Sequence, residues 1–117
     1  MLFRPKEYSL NRVRDNITIK EGEETLDLYV DCDAATIIPK LINARRKVSE
    51  LRTDSTEEEQ KEAAQALSCA MFGEDQTKKL IDFYHGDFGA VVTICGMYFS
   101  SKHGLGEKIT KAQKKFK

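Results

Sequence analysis

Residues 17–51, ITIKEGEETLDLYVDCDAATIIPKLINARRKVSEL, change their hydrophobic period once, and that change decides the fold. Ile17 and Ile19 share one face, Glu21-Gly22-Glu23-Glu24 offers a turn, and Leu26, Leu28 and Val30 alternate with Asp27, Tyr29 and Asp31. A period of two on both sides of a glycine turn predicts a β-hairpin. Two strands alone are marginal in water, so a later part of the chain must cover the apolar face. After Asp33 the period becomes about 3.6, with Ile37, Ile38, Leu41, Ile42, Arg45, Val48 and Leu51 on one stripe. This predicts a helix over about 36–52, capped by Thr36 with Asp33 as competitor, because Pro39 then lies in the first turn where its missing N–H costs nothing.

Working outward, Ser55 and Glu58 form a capping box for a second helix running to about Phe72. Its inner face is Ala63, Ala64, Leu67, Ala70 and Met71, and Gly73 supplies a left-handed stop. Asp75 caps a short third helix that carries Leu80, Ile81, Phe83 and Tyr84 to Gly86. Asp87 caps a fourth, in which Phe88, Val91, Val92, Cys95, Tyr98 and Phe99 recur at helical spacing while Ile94 and Met97 widen the stripe. A helix apolar on most sides is expected at the centre of the core. Gly104 and Gly106 end it, and the basic tail forms at most a further, loosely attached helix. The expected architecture is α+β and a single domain over 1–117, an N-terminal β-hairpin packed on a mainly α-helical body of about four helices. Its parts are an irregular arm at 1–15, the hairpin at 16–32, the helical body at 33–103 and a basic C-terminal tail at 104–117.

The chain has 117 residues, 40% hydrophobic and 32% charged, which suits one modest core and excludes a core-less disordered chain. Nineteen basic residues balance 19 acidic ones, so no net charge draws it to nucleic acid or an anionic membrane. The distribution is uneven: Lys108, Lys111, Lys114, Lys115 and Lys117 face only Glu107 in the last stretch, which makes a basic tail on an acidic body. Cys32, Cys69 and Cys95 are odd in number, far apart and outside any CxxC, the pattern of reduced thiols in a cytosol. No apolar run approaches the roughly 18–20 residues of a membrane span, and Met1 to Arg14 lacks the apolar core of a signal peptide, so the protein is expected to stay in the compartment where it is made.

Chemistry finds no foothold in these residues, and no catalytic residue, metal site or cofactor is expected. His85 and His103 both stand at helix ends without a nucleophile in context. Asp31-Cys32-Asp33 resembles the start of a calcium loop but lacks the glycine and later ligands. Gly104-Leu105-Gly106-Glu107-Lys108 lacks the Walker spacing and a preceding strand.

The stretch AMFGEDQTKKLIDFY at 70–84, the loop His85-Gly86-Asp87, the apolar helix to Phe99 and the ending KITKAQKK at 108–115 resemble the tail assembly chaperones of long-tailed phages and prophages of Gram-positive bacteria. The resemblance covers about the last half of the chain, carried by the run F-G-E-x-Q-T-x-x-L-x-x-F-Y, and the hairpin from Ile17 to Asp31 looks like the β-containing N-terminal part of some members. It implies a non-enzymatic helper that keeps the tape measure protein soluble and brings the major tail protein to it. It also implies a short form and a longer, frameshifted form, in the cytoplasm of the bacterial host and absent from the mature virion.

A small domain with an apolar helical half suits capture of an amphipathic client helix. Phe83, Tyr84, Tyr98 and Phe99 are the candidate aromatic anchors, with Lys108 and Lys111 as the charged part of the surface. The hairpin's unpaired edge makes a homo-oligomer conceivable. The competing reading is a small regulatory or nucleic-acid-associated protein acting through its basic C-terminal tail. Steep loss of affinity with salt would mark that alternative.

Overall fold

In a computed structural model, which describes residues 12–114, the β-hairpin packs on a body of five helices, confirming the α+β class. Strand β1 spans Arg12–Glu21 and β2 spans Glu24–Asp33, paired antiparallel with Ile17 opposite Leu28. Gly22 takes φ +62 at the first central position of the two-residue loop, as a type II′ turn requires. β1 starts four residues before the expected hairpin, so Arg12 to Asp15, assigned above to an irregular arm, belong to the sheet. The rest of that arm, 1–11, and the tail residues 115–117 lie outside the described residues.

Helix α1 spans Ala34–Ser49, earlier than expected, because Asp33 is its cap: the carboxylate accepts the Thr36 N–H at 3.1 Å. Pro39 therefore sits in the second turn, where it removes the donor for the Ala35 carbonyl; both residues are exposed, so that carbonyl is open to solvent. Helix α2 spans Glu57–Phe72 and is capped one residue later than expected, by Thr56 with Glu59 as the reciprocal partner. Ser55 instead accepts the Arg52 N–H and shapes the loop. Gly73, at φ +86, joins α2 directly to α3, Glu74–Phe83, so it, and not Asp75, occupies the cap position of α3. Asp87 caps α4, Phe88–Ser100, as its spacing predicts, by accepting the Ala90 N–H.

The structure departs most from expectation in α4 and the tail. The central element is α2, which packs against α1, α3, α4 and β2. α4 buries only Val91, Cys95 and Tyr98. The start of the tail is α5, Leu105–Lys114, and it is firmly attached: Leu105, Ile109 and Ala112 are buried against α4, α1 and β1. Burying one Leu or Ile side chain contributes about 1.5–3 kcal/mol, so this helix is part of the core. Among the described residues, no helix is long and apolar enough to cross a membrane.

Candidate helix-binding groove

The sequence of α4, FGAVVTICGMYFS, contains no charged residue, yet the chain covers one side of it. Val92, Gly96, Phe99 and Ser100, at spacings of three and four, line up on a partly covered side and form one wall of a groove of about 340 Å³. Arg45, Val48 and Ser49 of α1 form the opposite wall. The floor is Leu67 and Met71, one turn apart on α2, the helix on which α1 and α4 both pack. Beyond the wall α4 continues apolar, with Ile94 half-buried and Met97 61% exposed. Ile42, 64% exposed, stands one turn before Arg45 on α1.

The polar groups of the groove are few and mostly internally satisfied. Ser49 donates its hydroxyl to the Arg46 carbonyl at 2.7 Å and Ser100 to the Gly96 carbonyl at 2.8 Å, so both rims turn their hydroxyls back onto their own helices. Arg45 is the exception. Its guanidinium carbon lies 4.9 Å from the centroid of the Phe99 ring, a cation–π contact across the groove, and it has no acidic partner among the described residues.

Of the six residues expected at a partner surface, only Phe99 lines this groove. Tyr98 is 9% exposed, stacked on Phe72 with centroids 5.9 Å apart, and its hydroxyl donates to Asp15 at 2.7 Å. It is a core residue that ties α4 to β1. Phe83 and Tyr84 meet edge to face, centroids 5.2 Å apart, and pack half-buried against the core at the end of α3. The Tyr84 hydroxyl is buried with no hydrogen-bond partner among the described residues, and burial, aided by the charge of Glu21, raises its pKa. Lys108 lies 4.0 Å from Asp15 and Lys111 3.2 Å from Glu107, so each already faces an acid of its own chain.

Of the groove residues that sequence reasoning missed, Arg45, Val48, Leu67, Met71 and Val92 were legible as stripe positions of three helices, but as core, while Ser49, Gly96 and Ser100 stood on no stripe. The available signal was Arg45, a charge placed on an otherwise apolar stripe between Ile42 and Val48. His85 and His103 stand apart, each at a positive φ in a helix-terminal turn, and among the described residues no group of three or more potential ligands is gathered for a metal ion. No known protein family, curated protein or solved structure matches the chain.

Proposed function

We propose that this protein is a non-enzymatic binding module that holds an amphipathic helix of another protein between α1 and α4, over α2. Supporting this above all is α4, an uncharged helix that the described residues bury fully only along Val91, Cys95 and Tyr98. A helix without charges belongs largely in an interior, and one left partly open beside a preformed groove marks an interaction surface. The resemblance of residues 70–99 and 108–115 to tail assembly chaperones suggests the client: the tape measure protein of a long-tailed phage, kept soluble in the host cytoplasm until the major tail protein assembles around it.

Co-expression tests the reading. The reading requires a tape measure gene directly downstream, and its product is expressed alone, with the wild-type chain, and with Val92→Asp, which places a charge in the groove wall at a half-buried position. The expected result is soluble client only with the wild type, while Val92→Asp retains its helical circular dichroism. A client equally soluble without the chain, or a folded Val92→Asp that still protects it, would sink the proposal.

A further inference from the structure

Nothing among the described residues requires the glycine at Gly96. It lies in the middle of α4, where glycine is among the least favourable residues, and its φ is not positive. A Cβ built on it meets no atom of the described residues within 4 Å. Gly104 and Gly106 differ, because side chains there would run into carbonyl oxygens of α4. The space kept open by Gly96 is the groove itself, directly above the Leu67 and Met71 floor.

We infer that the groove receives a partner helix whose backbone packs down onto Gly96 and which aims a carboxylate at Arg45. The occupant is an amphipathic helix with a small residue at the Gly96 crossing, flanked by large apolar side chains and an Asp or Glu. This deepens the client reading above and rests on it. Glycine at a crossing lets two helices approach at the short end of the usual interaxial range. Leu67 and the adaptable Met71 take the flanking apolar side chains. Arg45 supplies the charge complementarity. Among the described residues it is the one charged residue lining the groove and lacks an acid, and it is pre-oriented by stacking on Phe99. A planar guanidinium held in this way forms a paired, charge-assisted bond to a carboxylate with little further loss of freedom.

The test uses the full chain and overlapping 20-residue labelled peptides spanning the tape measure protein, with fluorescence anisotropy beside thermal melting. Gly96→Ala should melt higher than the wild type and bind about tenfold weaker, since one methyl group overfills the crossing. Gly96→Leu should abolish binding. Arg45→Gln should weaken acid-bearing peptides about tenfold, and replacing the peptide acid by its amide should then cause no further loss. If peptides bind but the two Gly96 variants, both folded, bind them as the wild type does, the inference is overturned while the client reading stands. If no tape measure peptide binds, a displayed library of amphipathic helices separates the two ideas. Binders rejected by Gly96→Leu keep the groove and remove the client, whereas binders indifferent to it, or none at all, overturn the inference as well.

Discussion

The side-chain amide of Gln76 bonds both backbone groups of Tyr29, 47 residues earlier: Oε1 accepts the Tyr29 N–H at 2.8 Å and Nε2 donates to its carbonyl at 2.7 Å. Gln76 thus takes the place of a neighbouring strand along the outer edge of β2. Nε2 also donates to the Phe72 carbonyl at 2.8 Å, which fixes the amide against the end of α2. The polar pair Gln76-Thr77 is buried, and Thr77 hydrogen-bonds Ser68 and the Gly73 carbonyl. Part of the run from Phe72 to Tyr84 therefore serves to dock the hairpin.

Replacing Gln76 by Leu should lower stability by about 2–3 kcal/mol, because two partly buried backbone groups of β2 lose their partner. Gln76→Glu should cost more at neutral pH, since a carboxylate oxygen then faces two carbonyls. Urea denaturation followed by circular dichroism measures both, and equal midpoints for wild type and Gln76→Leu would contradict the role assigned to the amide.

The Tyr98–Asp15 bond joins α4 to an inward-facing acid of β1. A double-mutant cycle with Tyr98→Phe and Asp15→Asn should give a coupling of roughly 1.5–3 kcal/mol, as for a hydrogen bond to a charged group. Burial first, then the hydrogen bond and charge of Asp15, raise the Tyr98 pKa well above its ordinary value. The folded state thus holds this proton more tightly than the unfolded chain. The associated stability is intact below the unfolded-chain value of about 10 and is lost as pH climbs above it toward the folded one. Ultraviolet titration should show Tyr98 neutral until alkaline unfolding, and Tyr98→Phe should flatten the fall of stability above about pH 10.

Cys95 is fully buried, and burial pushes its thiol up to about 12 against a hydrogen bond from Ser68 that acts the other way. It should carry about a thousandfold less thiolate than an ordinary cysteine at neutral pH. Maleimide labelling of the native protein should modify the half-exposed Cys32 and Cys69 and spare Cys95 until denaturant is added. Labelling of all three at similar rates in the native state would contradict this packing.

Gly104→Ala should be destabilising where Gly96→Ala is stabilising. A methyl group at 104 would run into the Tyr98 carbonyl and Ser101 at the turn that seats α5, costing roughly 1–3 kcal/mol. Thermal melts of the two variants should move in opposite directions.

Sequence reading located the hairpin turn, the Asp87 cap and the end of α2 because each is local, a glycine between alternating strands or an acid before a helical stripe. It missed the first residues of β1 because Asp15 puts a charge on the inner face, which looks like the end of a strand. That charge is accommodated by Tyr98 and Lys108, whose sequence separation from Asp15 hides them from any local pattern. The caps expected at Thr36 and Ser55 fall to Asp33 and Thr56 for a similar reason: nearby residues offer the same chemistry, and the final backbone geometry selects between them.

The sequence by itself determined the hairpin, the four helices that follow it and their order, since periods of two and 3.6 follow from backbone geometry alone; on α1 it placed Ile42 and Arg45 on the inner stripe, where the structure leaves both exposed. It could not orient α4. A helix apolar all round has no preferred face, and the chain's remaining apolar surface decides which side is covered. Only the tertiary structure set α2 beneath α1 and α4, drew α5 into the core and consumed Tyr98 there, leaving Arg45, Leu67, Met71, Val92, Gly96 and Phe99 together around one open groove. Those residues come from three separate helices, and close packing on the buried Leu67 and Met71 is what brings the partly exposed residues of α1 and α4 into register above them.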